Sequence, residues 1–180
     1  MTAPVLGKLD WQPAAEVPEL LAAAVRDALG GLPAYAAGID PGLADTAAFC
    51  AEYDVPMAAS ANCVVVLGKR AGEESHAAVL VLATDRADVN GVIRKHLGVR
   101  KISFAAQDDA VGTTGMEYGG ITPIGLPAGW PVLVDARIAE IPYVIVGSGV
   151  RHSKIVLPGR ALGRLPGAQV IENLARDIDG

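Results

Sequence analysis

The sequence predicts an α+β domain: one single domain with a large mixed β-sheet flanked by helices. Three observations carry this reading. Apolar, β-branched runs lie at hairpin spacing, as in CVVVL (Cys63–Leu67) and HAAVLVLAT (His76–Thr84). Helical segments with caps alternate with these strand pairs. Three further strands, PVLVD (Pro131–Asp135), PYVIVG (Pro142–Gly147) and SKIVL (Ser153–Leu157), follow one another through tight connections, which disfavours a doubly wound sheet. A sheet of roughly six or seven strands is expected.

In chain order, Pro18–Leu29 reads as an amphipathic helix, with Leu20, Leu21, Ala24, Val25, Ala28 and Leu29 at helical spacing and Gly30-Gly31 and Pro33 as its stop. Asp45–Tyr53 reads as a second helix, capped by Asp45 or Thr46 and ended before Pro56. The hairpin comes next. Asp88 caps a helix over VNGVIRKHLG that Gly98 terminates. KISF (Lys101–Phe104) is a short strand, and Asp108 begins a helical turn. A last helix around Arg160–Leu165 and the strand AQVI (Ala168–Ile171) complete the pattern.

Composition narrows the function. The 180 residues are 51% hydrophobic and 19% charged, enough apolar content for one sizeable core. A net charge of −5 disfavours a protein that coats nucleic acid through its overall field, and a DNA partner is not expected. The start of the sequence has no basic stretch leading into an apolar one, and no run is long enough for a membrane helix, so a cytoplasmic protein without a membrane partner is expected. Cys50 and Cys63 read as packed, reduced thiols. His76, His96 and His152 share no ligand-like spacing, so no metal is expected, and no phosphate-binding or dinucleotide motif is present, so no cofactor is expected.

The stretch GGITPIGLP (Gly119–Pro127) holds two glycines next to two prolines and carries no charge. It reads as a stiff loop with bare backbone polar groups. Asp135 ends a strand and is either a cap or a carboxylate in a pocket, and Gly147-Ser148-Gly149 offers a hydroxyl and flexible backbone where strands end. Together these features suggest a backbone-lined pocket rather than an acid–base or metal site.

In this order, EYGGITPIGLP, PVLVDARI and VIVGSGVRHSKIVL resemble the YbaK/prolyl-tRNA-synthetase-associated editing domain, over about Leu32 to Ile171. The resemblance implies residues 1–31 as an N-terminal helical addition packed on the domain and residues 32–180 as the editing domain. It implies an aminoacyl-tRNA deacylase that acts in trans on tRNA mischarged with a small amino acid. Its partners would be the acceptor end of an aminoacyl-tRNA and an aminoacyl-tRNA synthetase. Carried over residue by residue, Asn62, Gly119 and Asp135 would be catalytic, and Thr46, Gly120, Ile121, Thr122, Pro123, Ser148 and Gly149 would bind substrate. The family's active members carry a lysine where Asn62 stands in this sequence. An amide brings no charge, so the alternative is a non-catalytic module that binds a tRNA end or a nucleotide. One cleft lined by Asn62, the Gly119–Pro123 loop, Asp135 and Ser148-Gly149 is expected.

Overall fold

In the computed structural model, which describes residues 2–178, the first half of the chain runs β1 (Gln12–Pro13), α1 (Ala23–Ala28), β2 (Tyr35–Gly38), α2 (Thr46–Tyr53), β3 (Ala61–Arg70), β4 (Glu73–Leu82) and β5 (Asp85–Ala87). After a π-helical turn at Val89–Ile93 come α3 (Arg94–Leu97), β6 (Lys101–Phe104), α4 (Gln107–Thr114), β7 (Val132–Asp135) and α5 (Ala136–Ala139). The chain continues through β8 (Val144–Gly147), β9 (Ser153–Leu157), α6 (Gly159–Leu162), β10 (Ala168–Ile171) and β11 (Ala175–Asp177).

The hairpin is longer than its apolar runs, because β3 and β4 pair in register from Ala61↔Leu82 to Arg70↔Glu73. Its two turn residues, Ala71 and Gly72, have φ of 51° and 81°, the backbone a two-residue hairpin requires. The hairpin sits inside a mixed five-stranded sheet of order β10-β7-β4-β3-β6, in which β7 runs parallel to both β4 and β10. The fold is thus α+β with a mixed sheet, but that sheet has five strands rather than the expected six or seven, and other strands form sheets of their own. A second, antiparallel sheet has the order β1-β2-β9-β8, and β5 and β11 form a ribbon.

Period-two burial makes three apolar layers. Ala36, Ile155, Leu157, Val144 and Val146 of the four-stranded sheet meet Ala78, Leu80, Val132 and Val134 of the mixed sheet in the main core. The opposite residues of the four-stranded sheet, Tyr35, Ala37, Ile145 and Val156, pack on Phe49 and Cys50 of α2. The far face of the mixed sheet packs Val66, Val79 and Leu133 on Val89 and Ile93.

Pro18–Leu29 is not one helix. A 3-10 turn at Pro18–Leu20 precedes α1, and Leu21 and Ala22 between them are extended. Helical spacing lost to tertiary bonding here, since Ala22 N–H donates to Ser148 O at 3.2 Å. Val17, Leu21, Val25 and Leu29 are nevertheless buried in the main core, so this segment packs on the sheets. The connection from β7 to β8 holds α5, and the late helix is the single turn α6. At the Asp88 cap, the side chain accepts from Val92 N–H at 3.3 Å and Gly98 closes α3 with φ of 65°.

Candidate active site

The two sheets touch at one isolated parallel bridge, Ser60↔Ile145, where the chain enters β3 beside β8. A cleft of about 260 Å³ opens at this seam. It is lined by the N-terminus of α2 (Asp45, Thr46), the start of β3 (Asn62, Cys63), the loop residues Tyr118, Gly119 and Ile121, the end of β8 (Gly147) and Lys154 of β9.

Each wall has a physical origin. Asp45 is the N-cap residue of α2, but its side chain caps no amide and is exposed at the mouth. Thr46 Oγ1 donates to Asn62 Oδ1 at 2.6 Å, which occupies the carbonyl end of the amide and leaves both N–H donors of Nδ2 for the cleft. Gly119 has φ of 87°, a conformation glycine adopts without strain. The loop is tied to the next turn by Glu117 N–H to Gly149 O (2.9 Å) and Gly149 N–H to Gly120 O (2.7 Å). Arg151 crosses the mouth, its two terminal nitrogens donating to Tyr118 O (3.0 Å) and Pro41 O (3.1 Å). Burial pushes the Cys63 thiol up to about 12, so it is no thiolate nucleophile at neutral pH.

Of the residues expected from the sequence, Thr46, Asn62, Gly119 and Ile121 come together here. The rest lie elsewhere. Asp135 is fully buried at the end of β7 and does not line the cleft. It caps α5 by accepting from Arg137 N–H (2.9 Å), and its carboxylate holds the Arg137 guanidinium (2.9 Å), which also pairs with Asp85 (2.5 Å). The bond to Asp135 and the two carboxylate charges push the Arg137 pKa up. Asp135 is therefore the cap of the two readings its sequence left open.

Ser148 is buried under its own turn, with Oγ near Val150 O (3.1 Å) and Ser153 O (3.2 Å). Gly149 faces Ala22 of the N-terminal segment, whose Cβ would lie 2.4 Å from an added Cβ. Gly120 is buried against the backbone of Val150. Pro123 lines a separate apolar groove with Leu126, Trp130 and Leu165. Thr122 is also fully buried, and its hydroxyl has no partner among the described residues. Replacing it by valine is expected to raise stability by about 1 kcal/mol, since an unmade hydrogen bond is removed with its desolvation cost. Urea denaturation of Thr122→Val checks this.

Gly147 belongs to the turn the sequence marked, whereas Lys154 was not among the expected site residues. Lys154 does have a signal: it is the charged residue in the otherwise apolar strand SKIVL. Among the described residues no group of three or more His, Cys, Asp or Glu is placed to hold a metal ion, and no helix is long and apolar enough to cross a membrane. His76 pairs with Asp109 (2.7 Å), His96 with Gln169 (2.6 Å) and His152 with Glu19 O (3.2 Å), each apart from the others.

An α+β domain with a small cleft of mixed polar and apolar lining at a sheet seam defines a class of small-ligand site. The family model for the aminoacyl-tRNA editing domain matches residues 40–165, and the chain belongs to that family, the YbaK family. Solved structures share the fold. A protein proposed as a trans-editing enzyme for prolyl tRNA synthetase superposes with a TM-score of 0.72 at 19% identity, covering 93% of this chain and 99% of that one. The hypothetical protein APE2540 gives 0.74 at 22% identity, covering 85% and 99%. A protein proposed to act in signal transduction in Marinobacter aquaeolei VT8 gives 0.56 at 19% identity, covering 86% of this chain and 30% of that one.

Proposed function

We propose that this chain is a trans-editing deacylase that hydrolyses the ester of tRNA mischarged with a small amino acid, in the cytoplasm. Family membership supports deacylation of aminoacyl-tRNA as the reaction. The small volume of the cleft, about 260 Å³, is the observation that carries the choice of a small aminoacyl group. Residues 32–180 would form the editing unit, residues 1–31 an addition to it, and an aminoacyl-tRNA synthetase a partner.

An aminoacyl ester is already activated, so orientation and aimed dipoles can supply most of the acceleration. The Asn62 amide, fixed by Thr46, and the backbone of the Gly119 loop are groups of that kind. The test is a deacylation panel of mischarged tRNAs. Asn62→Ala is expected to lower kcat by roughly 10- to 100-fold on the best substrate, as loss of one aimed donor does. Thr46→Val should lose a comparable part of that, because the amide is then free to turn. Unchanged kcat in both variants would remove the amide from the mechanism.

The uncharged Asn62, beside a Cys63 that stays a thiol, favours a second reading: a module that binds a tRNA end or nucleotide without turnover. Wild-type protein that binds aminoacyl-tRNA but hydrolyses none of the panel would establish it.

A further inference from the structure

The face of the four-stranded sheet that α2 covers is apolar, with Tyr35, Ala37, Ile145 and Val156 around Phe49. Lys154 interrupts it. It sits on β9 between Ala37 of β2 and Gly147 of β8, and only 7% of it is exposed. Its Nζ donates to Ala44 O at 2.9 Å and lies 5.2 Å from the Phe49 ring centroid. An ammonium has three donors, so two are unused, and Lys154 makes no ion pair among the described residues. A buried cation without a counter-ion is costly to keep. This one lines the cleft that also holds Asn62 and Gly119.

We propose that Lys154 is a catalytic residue whose ammonium binds the anionic oxygen formed when water adds to the aminoacyl ester, an assignment that rests on the deacylase reading above. The water oxygen bonds to the carbonyl carbon, and the C=O π pair moves onto the carbonyl oxygen, where Lys154 and the Asn62 amide meet it. The pair then returns, the bond to the ribose oxygen breaks, and the proton released by water ends on that ribose oxygen. A charge waiting in a largely dry pocket needs little reorganisation when the oxyanion appears.

Burial lowers the Lys154 pKa from its ordinary 10.5. Cys50 and Asp45 of the α2 end raise it again, and Arg151 of the preceding turn lowers it further. Cys63 in the same cleft stays a thiol across this range. A rate that needs the ammonium is present at low pH and lost as pH rises through that depressed pKa, so an alkaline fall below pH 10.5 is expected.

The experiment uses full-length wild type, Lys154→Met and Lys154→Arg on the tRNA that wild type deacylates fastest, with background hydrolysis subtracted. Lys154→Met should cut kcat by roughly 30- to 1000-fold with KM little changed. Lys154→Arg should recover part of the loss, and the alkaline fall should appear in wild type but not in Lys154→Arg, whose guanidinium keeps its charge. Equal kcat in folded Lys154→Met, or a loss confined to KM, overturns the assignment. The KM outcome reports instead a ground-state anion, such as a tRNA phosphate. Should Lys154→Met fail to fold by circular dichroism, the wild-type profile decides: a steady rise with hydroxide through pH 10.5 overturns the proposal. These outcomes leave deacylase activity standing. A wild type inactive on the whole panel defeats that activity and the Lys154 assignment together.

Discussion

Gly147→Val is expected to destabilise the protein by roughly 3 kcal/mol or more and to abolish measurable deacylation. A Cβ at this position would stand 2.5 Å from Gly120 O and 2.7 Å from Ile121 O. Both are backbone atoms, so no flexible side chain can swing away. Either β8 leaves the loop or the loop leaves its bonds to the turn at Gly149. Gly147 also pairs with Lys154 in the β8–β9 ladder, so displacement of one reaches the other. Gly147→Ala should show the same defect in milder form. Urea denaturation midpoints measured beside kcat for both variants check the ranking, and a stable, active Gly147→Val would mean that the loop and β8 are not held in contact.

Arg137→Met is expected to cost about 3–5 kcal/mol, the usual penalty for stranding buried charge. One terminal nitrogen of Arg137 serves both Asp85 (2.5 Å) and Asp135 (2.9 Å), whose side chains are 3% and 1% exposed. Without it, two carboxylates share a dry site. The Arg137 side chain is half exposed, so little apolar packing is lost and the effect is mainly that of the charge. Asp85→Asn in the Arg137→Met background should restore much of the stability. Denaturation of the single and double variants settles the matter, and additive losses would rule out a shared site.

Much of the architecture is legible in local sequence. The hairpin, Lys101–Phe104 and Ala168–Ile171 fall where their β-branched runs lie, and helical turns begin right after Asp45 and Asp88, though only Asp88 caps with its side chain. Strand β2 is not legible, because Tyr-Ala-Ala-Gly has little β propensity of its own. It is a strand because β1 and β9 flank it and supply its partners. The division into two sheets is equally invisible, since it depends on which distant strands pair. At the site, Thr46, Asn62 and Gly119 could be placed because each sits at the edge of an element that the sequence marks. Asp135 could not be assigned to cap or pocket without Arg137 and Asp85, which approach it from different parts of the fold. Lys154 was obscured by its position in an apolar strand, where a cation reads as an outward-facing side chain until α2 is seen to cover it.

The N-terminal segment reaches the back of the same turn that carries the cleft. Ala22 N–H donates to Ser148 O, Ser153 Oγ meets Leu20 O, and His152 contacts Glu19 O at 3.2 Å. The stretch 148–153 is thus held between Glu19–Ala22 on one side and the lining residues Gly147 and Lys154 on the other. Two equilibria that share such a stretch are linked, and linkage is reciprocal. Whatever free energy a ligand gains from finding the turn in place, the docked segment gains from the ligand. Occupancy of the cleft should therefore slow amide hydrogen exchange at Ala22, a group outside the cleft lining.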